Sequence, residues 1–139
     1  MNKKTAGYSG KPLAQKLGLK PGIRVKSRNA PNCYLELLGA VPEDAIVSPR
    51  LKPPVDMYHA FVLTRVELEK AVRQGLKEMH QAGMIWISWP KKSSHIPSDV
   101  TEDTVREVAL PLGLVDVKVC AVDDNWSGLK LVIRKENRK

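Results

Sequence analysis

Three features of the sequence predict an α/β chain in which helices cover both faces of a mostly parallel sheet. The first is Met57 to Leu63, a run that is apolar on both faces, as a strand sandwiched between two layers must be. The second is the pair of segments C-terminal to that run, an amphipathic stretch and then another apolar run, Met84 to Trp89. Together they make a strand–helix–strand crossover, which joins parallel strands with a right-handed connection. The third lies at the C-terminus, where two alternating runs, Val115–Val122 and Leu129–Arg134, are joined by the six residues Asp123–Gly128. That connection is too short for a crossover, so these strands must pair antiparallel.

The remaining elements come in order. Pro12 to Leu17 carries Leu13 and Leu17 on one face, with Gly18 as the stop, and reads as a short helix. Pro21-Gly22 turns the chain into Ile23–Lys26, the first strand. Tyr34, Leu37 and Leu38 have helical spacing and end at Gly39. Ala45-Ile46-Val47 is a brief strand, and Pro49 to Pro54, with three prolines, is a loop. After the central strand, Thr64 caps a helix and Glu67 completes a capping box. Leu68, Ala71, Val72, Gly75, Leu76 and Met79 form its single apolar stripe, and Gly83 closes it. Beyond the Trp89–Asp99 loop, Thr101 caps a further helix with Glu102 and Asp103 in its first turn, which suits the helix dipole. Val105, Val108 and Ala109 face inward on it, and Pro111 ends it. The sum is a sheet of about six strands.

Length and composition agree. The chain has 139 residues and is 42% hydrophobic, enough to bury about two-thirds of its unfolded surface in one core. Residues 1–139 are therefore read as one α/β domain, with 1–11 a basic N-terminal arm and 136–139 a basic tail. No apolar stretch approaches the ~20 residues of a membrane span, and no apolar region follows the N-terminus as in a secretory signal. A cytoplasmic setting with no membrane partner is expected. Cys33 and Cys120 are the only cysteines, so neither a disulfide framework nor a zinc site is indicated.

The formal charge of +8 is uneven. Residues 1–30 hold eight basic side chains and no acidic one, and the last ten residues carry a net +4. Such ends can meet phosphates or an acidic partner. Only Tyr8 lies among the first thirty residues as a stacking platform, so any nucleic-acid binding would be electrostatic and weakly specific.

Ligands of open α/β sheets sit beyond the carboxyl ends of the strands. The most suggestive segment there is Trp89-Pro90-Lys91-Lys92-Ser93-Ser94, where two ammonium groups and two hydroxyls leave a buried strand and can bind a phosphate or carboxylate. With Asn29 after the first strand, Lys91, Lys92, Ser93 and Ser94 are the candidate ligand-binding residues. His95 beside them can act as a general base, and Cys33 as a nucleophile, although neither has an identifiable partner. Cys33 reads as a buried structural cysteine, and His59 as a core histidine. Gly7-Tyr8-Ser9-Gly10-Lys11 fails as a phosphate loop, because Thr5 stands for the first glycine and Pro12 for the Ser/Thr after the lysine. No catalytic residue, metal or cofactor is assigned.

The order of elements is similar to a Rossmann-like three-layer sandwich, a trimmed class I methyltransferase fold with its C-terminal antiparallel hairpin. That resemblance implies a glycine-rich turn after the first strand and an acidic residue after the second, for S-adenosylmethionine. The chain has Ser27-Arg28-Asn29-Ala30-Pro31-Asn32 and Ser48-Pro49-Arg50 there instead. It also resembles a family of small bacterial proteins known only as a domain of unknown function. The likeness rests on Gly7-Tyr8-Ser9-Gly10, Lys20-Pro21-Gly22, Asn29-Ala30-Pro31, Trp89-Pro90-Lys91-Lys92-Ser93 and Trp126-Ser127-Gly128-Leu129-Lys130. It implies a bacterial cytoplasmic protein and no particular activity.

The function expected from the sequence is a non-catalytic module that binds an anionic small molecule or an acidic macromolecule. Two alternatives stand beside it: a small enzyme using His95 or Cys33, and nonspecific nucleic-acid binding by the basic ends.

Overall fold

The computed structural model describes residues 11–139. In chain order the elements are α1 (Leu13–Leu17), β1 (Arg24–Arg28), α2 (Tyr34–Leu38), β2 (Ile46–Ser48), β3 (Val55–Phe61), α3 (Arg65–Glu78), β4 (Met79–Pro90), α4 (Glu102–Ala109), β5 (Leu114–Ala121) and β6 (Trp126–Ile133). They build one six-stranded sheet of order β2-β1-β3-β4-β6-β5. The β1–β2, β1–β3 and β3–β4 pairs are parallel, whereas β6 runs antiparallel to both β4 and β5. This is the Rossmann-like α/β fold that the sequence predicts. The basic arm and the Gly7–Lys11 motif lie outside the described residues, apart from Lys11 itself.

Alternation along β3 and β4 divides the core in two. Tyr58, Ala60, Ile85, Ile87 and Trp89 face α3 and α4. Met57, Phe61 and Trp86 face α1 and α2. Both faces are covered, which explains why neither strand shows polar alternation in the sequence.

The helix starts follow their caps. The Thr64 hydroxyl accepts the Glu67 N–H at 3.1 Å. The Glu67 carboxylate reaches the Leu63 N–H at 2.7 Å, one residue before the cap. At α4 the two threonines cap each other reciprocally: the Thr101 hydroxyl accepts the Thr104 N–H, and the Thr104 hydroxyl accepts the Thr101 N–H. One orphan donor of each first turn is thereby satisfied; the capping box expected at Thr64 is not formed, because Glu67 takes the Leu63 N–H, and the reciprocal box is found at Thr101 instead.

The end of α3 differs from expectation. The helix stops at Glu78, and Met79 is already extended and paired with Val55. Gly83 is therefore a strand residue and not a helix stop. It sits where β4 carries extra residues opposite β3, between the Val55↔Met79 and Met57↔Met84 pairs. A Cβ at Gly83 would lie 3.0 Å from the carbonyl oxygens of Asp56 and His80, so the glycine serves a close backbone approach.

One polar chain crosses the α1/α2 side of the core. Tyr34 Oη lies 2.8 Å from His59 Nδ1, and His59 Nε2 lies 2.8 Å from Ser88 Oγ. The His59 ring stacks on Phe61 at 4.5 Å, and Phe61 meets Trp126 edge-on at 5.1 Å. His59 is fully buried, so the expected core histidine is found, and both of its nitrogens are satisfied.

Two measurements probe this packing. Thr64→Ala should lower stability by about 1 kcal/mol in urea unfolding, and no loss would show that Glu67 alone holds the turn. Burial pulls the His59 imidazole from its ordinary 6.5 down to about 3. Between those values the unfolded chain binds a proton that the folded chain does not. Stability contributed by neutral His59 is thus complete above the ordinary pKa and falls as pH drops through that window, by on the order of 1.4 kcal/mol per pH unit. His59→Gln should lose this part of the acid sensitivity; parallel pH profiles of variant and wild type would contradict it.

Candidate functional site

Strands β1, β3 and β4 end together at one edge of the sheet. The chain moves outward from β1 to β2 and then returns to β3 on the other side of β1, so the topological switch point lies between β1 and β3. There β1 passes into Asn29, whose φ of 55° is a left-handed conformation that asparagine tolerates. Arg28 donates to the Tyr58 hydroxyl at 3.3 Å. Cys33 stands at the start of α2 and is exposed, which corrects the buried structural cysteine expected from the sequence.

Two cavities open farther along the same edge. The first, about 530 Å³, is floored by Trp89 and Pro90 of β4 and walled by Lys91, Lys92, His95, Glu102 and Ser127. The second, about 580 Å³, is lined by Lys11, Lys16, Lys91, Lys118, Cys120 and Ser127, with Val119 and Ala121. Both volumes fall in the range of small-molecule sites. Lys91 and Ser127 line both.

Local structure positions these residues. The Lys91 N–H donates to the Asn125 carbonyl at 2.8 Å, which ties the loop after β4 to the β5–β6 hairpin. Asp123 holds that hairpin by accepting the Asn125 and Trp126 N–H groups at 2.8 and 2.9 Å. Lys92–Ser94 then form a single 3₁₀ turn ending at His95, with φ 61°.

The sequence-derived candidates separate. Lys91 and Lys92 line the first cavity, as does His95. Ser93 and Ser94 are absent from the lining of both cavities, and the Ser94 hydroxyl donates to the Lys91 carbonyl at 2.6 Å to close the turn. Asn29 lines neither cavity. Among the described residues, neither His95 nor Cys33 makes a side-chain hydrogen bond, so neither has the partner that activates a base or nucleophile.

Sequence reasoning missed Lys16, Lys118 and Ser127. Lys16 is buried, and its ammonium donates to the Ala121 carbonyl at 2.6 Å. Lys118 donates to the Lys16 carbonyl at 3.0 Å. A register shift between Asp116 and Lys118 decides this. Asp116 faces α4, where it accepts from Arg106 at 3.0 Å. Strict alternation would turn Lys118 the same way, but the irregularity sends it to α1. The available signal is Lys16 itself, three residues after Leu13, on the apolar face of its helix.

Burial is the main cause that lowers the Lys16 ammonium below the ordinary lysine range. Cys120 opposes this, while Lys91 and Lys118 add to it. The Cys120 thiol is pushed up by burial, with Lys16 and Lys118 pulling the other way.

No protein-family model matches the chain, and no curated protein matches it. Solved structures do. A SAM dependent methyltransferase from Aquifex aeolicus superposes with a TM-score of 0.63 at 16% identity, over 87% of this chain and 88% of that one. Fibrillarin from Aeropyrum pernix, solved with natively bound S-adenosyl-L-methionine, gives 0.61 at 15% identity, over 86% and 73%. TrmN from Thermus thermophilus gives 0.59 at 14% identity, and the chain spans 87% of itself but only 47% of that protein. The likeness is one of fold.

This finding overturns the non-catalytic anion-binding module expected from the sequence: the frame is shared with a solved protein named as a SAM dependent methyltransferase. The residues at the switch point nevertheless do not fit S-adenosylmethionine in the manner the resemblance implies. The turn after β1 holds Asn29, Ala30 and Pro31 where the backbone must approach a ligand closely, and Pro31 has no N–H to offer. After β2 come Pro49 and Arg50, with no carboxylate for a ribose. Titration calorimetry with S-adenosylmethionine should therefore give no saturable heat; a micromolar Kd would show that this turn holds the cofactor without glycine.

Proposed function

We propose that the chain is a small group-transfer enzyme on a methyltransferase-type frame, with its two reactants side by side in the two cavities at the carboxyl edge. The observation that carries this reading is the shared wall: Lys91 and Ser127 line both cavities. A transfer between two molecules needs them adjacent and oriented, and fixing both is a large part of what such an enzyme supplies. Trp89 and Pro90 offer an apolar floor for the first reactant, and Lys92 holds its anionic end. Ser127, on a strand rather than a loop, presents a hydroxyl where the cavities meet. The resemblance to small uncharacterised bacterial proteins adds a cytoplasmic setting to this proposal.

Native mass spectrometry of the protein mixed with a bacterial metabolite extract tests it. The expected result is a ternary mass, the protein with two different ligands. Ser127→Trp, which crowds both cavities, should lose both ligands while Ser127→Ala keeps them. A single ligand at saturation, or both ligands retained by a folded Ser127→Trp protein, would overturn the reading.

A further inference from the structure

The second cavity differs from the first in charge. Among the described residues four lysines line it, Lys11, Lys16, Lys91 and Lys118, and no carboxylate does. Lysines grouped on one wall give the cavity a positive field that attracts anions. Two of the four are fixed: Lys16 is only 6% exposed and bonded to the Ala121 carbonyl, and Lys118 is bonded to the Lys16 carbonyl from the opposite element. Their orientation is thus set before a ligand arrives, which lowers the ordering cost of binding. The bond from Lys118 uses one of its three protons.

We infer that the second cavity binds a phosphorylated small molecule, with Lys16, Lys91 and Lys118 around its phosphate oxygens. Three observations select this class. The donors are ammonium groups with no arginine among the described lining residues, and lysine ammoniums bind phosphate as point charges. Several cations in one cavity match a group carrying more than one negative charge. Val119 and Ala121 give the wall an apolar part for an organic body. Among the described residues no aromatic side chain lines the cavity, so a nucleic-acid strand would find no stacking platform there. Burial and the neighbouring lysines both hold the Lys16 ammonium below its ordinary range, and a bound phosphate reverses the second effect. This inference deepens the paired-cavity reading and rests on it only in taking the cavity as a reactant's seat.

Cys120 reports on occupancy, because it lines the cavity while Cys33 lies exposed elsewhere as an internal control. Alkylation of each thiol by N-ethylmaleimide is followed by peptide mass spectrometry, with inorganic pyrophosphate as the probe. Pyrophosphate should slow Cys120 by about tenfold and leave Cys33 unchanged, and Lys118→Gln should raise the protecting concentration by about tenfold. No slowing, equal slowing by sodium chloride at matched ionic strength, or protection by a single-stranded oligonucleotide at lower concentration would each overturn the inference. Thermal unfolding is the second readout and decides the case if Cys120 is inert. Pyrophosphate should raise Tm in the wild type and not in Lys118→Gln, and equal shifts in both would overturn the inference. Loss of the ternary complex with Cys120 protection intact would instead count against the paired-cavity reading alone.

Discussion

The edge geometry depends on the burial of β4 on both faces and along both sides. It pairs parallel with β3 and antiparallel with β6, so its position is over-determined from four directions. Trp86 is the centre of this constraint. It is fully buried, lies opposite His59 on one side and Lys130 on the other, and donates its indole N–H to the Leu17 carbonyl at 3.0 Å. That bond satisfies the Leu17 carbonyl, while Lys118 serves the Lys16 carbonyl and the Gly18 N–H those of Ala14 and Gln15, so the end of this five-residue helix is fully tied down. Helix α1 is too short to be stable alone; docked there, it carries Lys16 to the edge of the second cavity. The small residue opposite the ring matters too, because a Cβ at Gly128 would come within 3.3 Å of Trp86.

The polar chain through Tyr34, His59 and Ser88 fixes α2 by the same logic. A helix of five residues is held by the Tyr34 hydroxyl, the aromatic cluster around it and the fully buried Leu38. The switch point is therefore backed by a packed, neutral, hydrogen-bonded layer. The two cavities lie on the β4–β6 side of the sheet, lined by the loop after β4 and the C-terminal hairpin.

Much of the fold is legible in the sequence because its signals are local. Caps at Thr64 and Thr101, the stripe from Leu68 to Leu76, and the short Asp123–Gly128 connection each depend on residues near in sequence. The end of α3 is not legible, because Gly83 looks the same as a helix stop and as a close-approach glycine; only the position of Asp56 and His80 separates them. The site is legible in part. Lys91 and Lys92 sit at a strand end, which a sequence shows. Lys16 and Lys118 meet across about a hundred positions, and nothing local announces that. The exposure of Cys33 is hidden too, since burial at a helix start depends on the elements that pack above it.

The irregularity in β5 has a consequence for comparing this chain with others. One residue, Val117, separates the part of the strand whose side chains serve α4 from the part whose side chains serve α1. The identity of the lysine is thus only half of the information; the count of residues before it is the other half. A homologue could keep every cavity residue and lack the inserted position, and its lysine would then point toward the α4 side of the sheet. Another could gain the cavity charge by an insertion alone, with no change in composition. Inheritance of this site is better traced through gaps in β5 than through matching letters.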